Sequence, residues 1–234
     1  MTQGAGAVNF PRPPVLFCDF DGTITLSDNI VAIMQHFEPP GVQDIVDDIV
    51  AQRKSLRQGV GEMFALLPSS LKDEIRDFVL RTAGIRPGFP ELLDWCRLHD
   101  VPFYVTSGGI DFFLLPILAP FGIPADHIFC NGSDFSGETI RITWPHPCDD
   151  DCDKDCGMCK TTIMRRFPRE QYFRILIGDS LTDFEGAKIA DLVFSRSHLT
   201  EKCKELGVPH IPFETFFDVI RHLEQGMKQG GLVP

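Results

Sequence analysis

Five short apolar segments, separated by helical patterns, constrain the fold of this chain more than any other feature. The segments are VLFCDF (15–20), PFYVT (102–106), HIFCN (127–131), FRILIG (173–178) and DLVFS (191–195). Helical patterns cover residues 89–99, 110–122, 161–167 and 183–190. Short, nearly continuous apolar strands that alternate with helices are typical of a parallel sheet covered on both faces. The sequence therefore predicts an α/β fold with a three-layer, Rossmann-like parallel-sheet core.

The stretch between the first two predicted strands is much longer than a single crossover helix requires. About 80 residues separate these strands, and their patterns are helical, with Ser69 and Ser70 as candidate N-caps of the last helix. A chain of 234 residues is long enough for one core domain with an insertion. We therefore predict a core formed by residues 13–26 and 87–225, and an inserted α-helical cap, residues 27–86, with a small apolar core of its own.

The charge and the apolar runs of the chain exclude several kinds of partner. The sequence has 22 basic and 33 acidic residues, for a net charge of −11, and nucleic-acid binding needs a basic stripe instead. No apolar run reaches the roughly 18–20 residues of a membrane helix. The first segment lacks the basic start and apolar core of a signal peptide. We expect a cytoplasmic protein, a monomer or homodimer, with poorly ordered ends at residues 1–14 and 226–234.

Two aspartates directly follow the first predicted strand, in the segment DFDGT. Ligands of such sheets bind beyond the carboxyl ends of the strands, where Asp19 and Asp21 lie. A carboxylate can attack phosphorus and form an aspartyl-phosphate, so Asp19 is the candidate nucleophile. Asp21, two residues later, lies on the same side of an extended chain and is the candidate general acid and base. Gly22 lets the backbone turn where it approaches a ligand.

Three further segments place polar groups at strand ends or helix starts. In VTSGG (105–109), the hydroxyl of Ser107 and the amide of Gly108 precede a predicted helix, and helix N-termini bind anions. Lys160, before the segment TTIMRRF, is a cation that can neutralise a transferring phosphoryl group. In IGDSLTD (177–183), Asp179 and Asp183 are hard oxygen ligands that suit Mg²⁺. Together these segments predict a phosphoryl-transfer site that acts on a small-molecule phosphate.

In these four segments the sequence resembles the haloacid dehalogenase superfamily of aspartate-nucleophile phosphatases. The matches are DFDGT, TSGG, Lys160 and GDSLTD, in this order. The resemblance implies that Asp19 is the nucleophile and Asp21 the general acid and base, with Ser107 and Lys160 binding phosphate. It also implies that Mg²⁺ binds Asp19, the main-chain carbonyl of Asp21 and Asp179, with Asp183 close behind. Lys154 and Lys188 are alternatives for the lysine.

Longer segments are similar to a branch of this superfamily that acts in methionine salvage. They include DNIVAIMQHFEPP, IRPGFPELLDW and the cysteine-rich segment before Lys160, and the similarity spans about residues 15–205. It implies hydrolysis of a sugar-derived enol phosphate that carries a methylthio group. Two alternatives stay open at this point. One is a phosphatase for phosphoserine or another small phosphomonoester, and the other is a non-catalytic module that accepts phosphate or binds zinc.

The segment CDDDCDKDCGMCK contains four cysteines, Cys148, Cys152, Cys156 and Cys159, close to Lys160. Such a cluster can form a tetrahedral zinc site, form disulfides or stay reduced. We expect any role to be structural. The preceding region, residues 134–148, looks like a hairpin with Gly137 at the turn.

Two features of the cap each have two interpretations. Asp28 is either an N-cap for the following helix or a group that contacts a substrate hydroxyl. Met63, Phe64 and Leu67 either line a pocket for a methylthio group or form the core of the cap, and their helical spacing favours the core.

Overall fold

A computed structural model describes residues 10–230 and contains one seven-stranded sheet in the order β4-β3-β2-β1-β5-β6-β7. Strand β4 is antiparallel to β3, and every other neighbouring pair is parallel. The strands are β1 (Pro14–Cys18), β2 (Phe103–Ile110), β3 (Ile128–Asp134), β4 (Arg141–Thr143), β5 (Phe173–Gly178), β6 (Leu192–Ser195) and β7 (Ile211–Pro212).

Alternating side chains of β1 belong to two apolar clusters on opposite faces of the sheet. Leu16 and Cys18 pack with helices α5, α6 and α10, whereas Val15 and Phe17 pack with α7, α8 and α9. These helices are α5 (Phe89–Leu98), α6 (Asp111–Leu118), α7 (Lys160–Arg165), α8 (Phe184–Ile189), α9 (Ser197–Leu206) and α10 (Phe216–Gly230). Both faces of β1 are buried, which explains its continuous apolar sequence. The predicted three-layer α/β fold is confirmed.

The long segment between β1 and β2 is helical, as predicted. Its helices are α1 (Asn29–Phe37), α2 (Val42–Val50), α3 (Leu56–Ala65) and α4 (Lys72–Thr82). Ser55 caps α3 in a capping box with Gln58. The prediction that Ser69 and Ser70 cap α4 is wrong, because both lie in a short 3₁₀ turn that leads directly into that helix.

The buried side chains of α1–α4 are continuous with one of the two sheet clusters instead of forming a separate small core. The ring of Phe64 in α3 meets that of Phe112 in α6 edge to face, with centroids 6.2 Å apart. Met63, Phe64 and Leu67 are all buried, which agrees with the core interpretation of these residues. The inserted helices therefore share apolar packing with the rest of the molecule.

Two smaller predictions need correction, the bounds of the hairpin and those of the poorly ordered ends. The hairpin is formed by β3 and β4, so it begins earlier than residue 134, and Gly137 lies in the connection. Parts of both predicted poorly ordered ends belong to the fold. Phe10 is 1% exposed and packs in the core, and α10 extends to Gly230. Of these two ends, only residues 1–9 and 231–234 lie outside the described residues.

Within residues 10–230, every helix is too short or too polar to span a lipid bilayer.

Candidate active site

Three adjacent strands, β2, β1 and β5, bring the predicted site residues to one edge of the sheet. Asp19 directly follows β1, Asp179 directly follows β5, and Ser107 lies near the end of β2. Lys160 is the first residue of α7, on the face formed by α7, α8 and α9. The carboxyl ends of parallel strands meet at one edge, so residues distant in sequence become neighbours here.

A tight turn, Phe20–Ile24, follows Asp19 and lies against Asp179. The hydroxyl of Thr23 donates a hydrogen bond of 2.8 Å to Oδ1 of Asp179. Gly22 has a φ of +74°, and a Cβ atom at this position would lie 2.4 Å from Oδ2 of Asp179. The turn therefore requires glycine for two reasons, its backbone conformation and its closeness to a carboxylate.

Lys160 connects two buried carboxylates. Its Nζ lies 2.8 Å from Oδ2 of Asp19 and also forms an ion pair with Oδ1 of Asp183. The other oxygen of Asp183 accepts hydrogen bonds from the amides of Asp179 and Ser180, at 3.1 and 3.0 Å. Lys160 is 6% exposed and Asp183 is fully buried. Asp183 therefore orients both the lysine and the backbone that carries Asp179.

Burial and the neighbouring charges together determine the pKa values of the side chains in this cluster. Burial raises the pKa of Asp19 and the charge of Asp183 raises it further, whereas Lys160 lowers it, and the net pKa is well above the usual range. Burial lowers the pKa of Lys160, but the charges of Asp183 and Asp19 outweigh it and leave the pKa raised. Asp179 also has a raised pKa, because of burial and then Asp183. The cluster therefore places three carboxyl groups and one ammonium group together in a region largely shielded from solvent.

Asp21 points to a different set of neighbours. Its Oδ1 accepts hydrogen bonds from the amide and the side-chain nitrogen of Asn29, at 3.0 and 2.6 Å. Its Oδ2 lies close to Gly109, where a Cβ atom would be 2.8 Å away. Burial and the charge of Asp28 raise the pKa of Asp21 to about 7, although the bonds from Asn29 lower it. A carboxyl group with such a pKa can both donate and accept a proton near neutral pH.

Ser107 is buried, and its Oγ accepts a hydrogen bond of 2.9 Å from the amide of Gly109. A helix follows the two glycines, as predicted, but Ser107 and the glycines belong to the strand instead of following it. Strand β2 continues to Ile110, with a register shift against β3 after Thr106, and α6 starts at Asp111. The carbonyl of Gly108 accepts a hydrogen bond of 2.7 Å from Asn131. The VTSGG segment is therefore extended chain with an irregular register that leads into α6.

The donor atoms at this edge suit a divalent cation. One carboxylate oxygen from each of Asp19, Asp179 and Asp183 lies within 4.8 Å of the other two. Oxygen ligands of this kind are those that Mg²⁺ prefers. The excess of buried negative charge, described above, would be offset by a cation. These residues therefore fit a magnesium ion in both chemistry and electrostatics.

The other candidates lie apart from this cluster. Lys154 and Lys188 are exposed and pair with Asp153 and Glu185, so Lys160 is the lysine that reaches Asp19. The side chain of Asp28 accepts a hydrogen bond of 3.0 Å from the amide of Val31 and caps α1, in agreement with the N-cap interpretation.

Comparison with known proteins identifies the family. The sequence model of the family described as "haloacid dehalogenase-like hydrolase" matches residues 16–188. The chain belongs to this family. The prediction of the family, and with it of an enzyme, is confirmed.

Similar proteins cover nearly the whole chain. A 2-hydroxy-3-keto-5-methylthiopentenyl-1-phosphate phosphatase of Brevibacillus brevis is 57% identical over 211 residues, which cover 90% of this chain and 95% of that protein. The protein of the same name from Geobacillus kaustophilus is 56% identical, over 90% of this chain and 96% of its own length. Among solved structures, a phospho-aspartyl intermediate analogue of phosphoserine phosphatase matches with a TM-score of 0.69 and 15% identity, over 90% of this chain and 99% of that one. The last match shows a shared fold.

Two arginines hold the turn of this haloacid dehalogenase-like site, and sequence reasoning missed both. Buried Arg86 donates to the carbonyls of Thr23 at 2.7 Å and Gly22 at 2.8 Å. Arg196 donates to the carbonyl of Gly22 at 2.9 Å. Asn29, which orients Asp21, was missed as well. None of these residues lies in the four segments that carry the superfamily resemblance, although Asn29 and Arg86 lie in the longer similar segments DNIVAIMQHFEPP and IRPGFPELLDW. A further signal for Asn29 is its place in the first turn of a helix that directly follows the site.

Proposed function

We propose that the protein is a Mg²⁺-dependent phosphatase that hydrolyses 2-hydroxy-3-keto-5-methylthiopentenyl-1-phosphate to 1,2-dihydroxy-3-keto-5-methylthiopentene and phosphate. The relatives that are 46–57% identical all carry the name of this activity, which supports the substrate. The observation that carries the chemistry is the meeting of Asp19 with Lys160 and the carboxylates of Asp179 and Asp183 at one sheet edge.

In the first half-reaction, a carboxylate oxygen of Asp19 attacks phosphorus and the bond between phosphorus and the substrate oxygen breaks. Asp21, in its protonated form, gives its proton to the departing oxygen. Lys160 and the hydroxyl of Ser107, together with the amide of Gly108, offset the charge of the phosphoryl oxygens. The products of this half-reaction are an aspartyl-phosphate and the free enol.

In the second half-reaction, Asp21 is a carboxylate and accepts a proton from water. The resulting hydroxide attacks the phosphorus of the aspartyl-phosphate, and the bond to Asp19 breaks. Inorganic phosphate leaves, and both aspartates return to their starting protonation states. The bonds from Asn29 hold the Asp21 carboxyl in one orientation through both steps.

Mg²⁺ would be held by Asp19, Asp179 and the main-chain carbonyl of Asp21, with Asp183 next to them. A bound Mg²⁺ supplies positive charge that polarises the phosphoryl oxygens. Asp183 supports this arrangement from behind, because its oxygens are engaged with Lys160 and with the amides at residues 179 and 180.

We also propose that residues 27–86 act as a cap whose closure excludes water and which selects the substrate. The core would then be residues 13–26 and 87–225. Asp28, at the entrance to the cap, is a candidate for contact with a substrate hydroxyl in addition to capping α1. A cytoplasmic location and a monomeric or homodimeric state stay predictions, as does the absence of a nucleic-acid partner.

A panel of phosphate monoesters tests the proposed substrate. With Mg²⁺ present, we expect kcat/KM for the methylthio enol phosphate to exceed that for phosphoserine by about 10²-fold or more, because a site that accepts an apolar methylthio group leaves the charged groups of phosphoserine without partners. Removal of divalent cations with a chelator should abolish turnover of every ester, and added Mg²⁺ should restore it. Equal kcat/KM for the methylthio compound and phosphoserine would contradict the substrate but leave the phosphatase chemistry standing.

The pH dependence of the reaction tests the role of Asp21. Its pKa of about 7 means that the protonated, proton-donating form decreases tenfold for each unit of pH above about 7. We therefore expect kcat/KM for an alkyl phosphate to decrease as the pH rises through about 7, since this profile reports the free enzyme. With p-nitrophenyl phosphate, whose leaving group needs little protonation, the decrease should be much shallower. The same profile for both esters would contradict the assignment.

A further inference from the structure

The segment between β4 and α7, residues 144–159, is ordered without any helix or strand. Connections longer than about 12–15 residues that lack secondary structure are uncommon in compact domains unless they have a function. Yet this segment ends in Met158 and Cys159, which are 3% and 1% exposed. Within the segment, the backbone hydrogen bonds are those from the amide of Cys152 to the carbonyl of Asp149 and from the amide of Cys159 to the carbonyl of His146. Most of its conformation therefore depends on side chains.

Four sulfur atoms meet inside this segment. The Sγ atoms of Cys148, Cys152, Cys156 and Cys159 all lie within 4.8 Å of one another. Those of Cys152 and Cys156 are 3.9 Å apart. In a tetrahedral site with zinc–sulfur bonds of about 2.3 Å, neighbouring sulfur atoms are separated by about 3.8 Å. Cys159 is buried and the other three are half-buried, which is typical of a closed structural site rather than an open catalytic one.

The surroundings of the sulfur atoms support a metal-bound state. The amide of Cys156 donates a hydrogen bond of 3.4 Å to Sγ of Cys148, and the hydroxyl of Thr161 lies 3.2 Å from Sγ of Cys159. Such bonds orient thiolate ligands and offset their charge. Two of the nearby carboxylates are engaged elsewhere, since Asp149 pairs with Arg165 and Asp155 pairs with Arg57. Four thiolates are a soft ligand set, which favours zinc over the hard cations.

We propose that Cys148, Cys152, Cys156 and Cys159 bind one structural zinc ion, separate from the carboxylate site. The four ligands fill a tetrahedral coordination shell and leave no position for water or substrate. The ion stabilises the 144–159 segment by closing three short loops around a single point.

The position of this site gives it a second effect, on two parts of the molecule at once. Cys159 directly precedes Lys160, the lysine that pairs with Asp19. Asp155 accepts a hydrogen bond of 2.6 Å from Ser55, the N-cap of α3, and forms an ion pair of 2.8 Å with Arg57 of the same helix. The zinc-bound segment therefore fixes the start of α7 on one side and contacts the inserted helices on the other.

Elemental analysis of the purified full-length chain tests the zinc site. We expect about one zinc ion per chain without added metal. Cys152→Ala should lose this zinc, whereas Cys203→Ala, a matched change of a buried cysteine outside the cluster, should keep it. Should Cys152→Ala fail to fold, a mercurial reagent added to the wild-type protein should release the zinc to a metal-sensitive dye as the thiols react. Zinc-free wild-type protein, iron in its place, or a disulfide within the cluster in the unreduced protein would each overturn the proposal.

The link to the inserted helices has its own test, which rests on the proposed phosphatase activity. Asp155 has a φ of +50°, which Asn tolerates well, so Asp155→Asn removes the charge that pairs with Arg57 and weakens the contacts with α3 without strain. We expect this variant to keep its zinc while KM for a phosphate ester rises. Cys152→Ala should instead lower kcat, because Lys160 loses its fixed position. Unchanged kinetics in both variants, with zinc lost from Cys152→Ala alone, would overturn the second effect and leave the zinc site standing.

Discussion

Asp19→Asn is expected to reduce phosphate ester hydrolysis by roughly 10⁴–10⁶-fold, since loss of a nucleophile removes the covalent route altogether. The amide retains the size of the carboxylate but cannot attack phosphorus. Steady-state turnover with saturating Mg²⁺ measures this loss. Rapid acid quenching followed by mass spectrometry should detect a phosphorylated chain in the wild-type protein and none in the variant. Asp44→Asn, a change of an exposed aspartate in α2, is the matched control and should retain full activity.

The same variant should not be destabilised. Asp19 is one of three carboxylates around Lys160 in a buried cluster, and burial already raises its pKa. Removing this negative charge leaves Lys160 paired with Asp183. In the absence of divalent cations, we therefore expect the melting temperature of Asp19→Asn to equal or exceed that of the wild type, because residues that serve activity often lower stability.

The activity of Asp19→Asn can contradict the assignment. Residual turnover within about tenfold of the wild type would exclude Asp19 as the nucleophile.

Lys160→Met should have a large effect on stability as well as on activity. The change removes the ammonium group from two buried carboxylates, and uncompensated buried charge typically costs about 3–5 kcal/mol. We expect the free energy of unfolding in denaturant to decrease by about this amount at neutral pH. Turnover should decrease by about 10²–10³-fold or more, because the phosphoryl oxygens lose a cationic partner. Lys188→Met removes an exposed pair with Glu185 and should change stability by less than about 1 kcal/mol.

The pH dependence of the Lys160→Met deficit separates charge from packing. Without Lys160, the pKa of Asp19 in the folded state rises further above that of the unfolded chain. A group with a raised folded-state pKa binds more protons when folded, so acidification favours the folded state. The stability deficit should therefore shrink as the pH falls below neutrality, and excess Mg²⁺ should reduce it too. A deficit that is constant with pH would indicate lost side-chain packing as its cause.

The architecture and the central chemistry of this protein could be predicted from sequence because each rests on a local pattern. Continuous apolar strands with helices between them predicted the sheet, and the geometry of parallel strands then predicted that Asp19 and Asp179 converge. Charge and position indicated Lys160 as the partner cation but left Lys154 and Lys188 as alternatives. Its two competitors, Lys154 and Lys188, differ from it in burial, which a sequence does not display directly.

The parts that could not be predicted depend on long-range contacts. Arg86 and Arg196 bind the carbonyls of the turn after β1 from positions 64 and 174 residues away from Gly22, and neither lies in the four segments that predicted the site. The extension of β2 through Gly108 depends on pairing with β3, which a glycine pair does not favour by itself. The two serines before α4 were plausible caps, but a 3₁₀ turn there leads directly into the helix.

The order of the strands has a consequence for biosynthesis. Strand β1 leaves the ribosome before the other strands of the described sheet, yet its partners β2 and β5 begin at Phe103 and Phe173. Until those strands are translated, a five-residue apolar segment has no sheet to join. Pairings of such high sequence separation slow folding and leave hydrophobic surface accessible to chaperones or to other nascent chains. Asp19 therefore acquires its environment only after β2 and β5 have been synthesised.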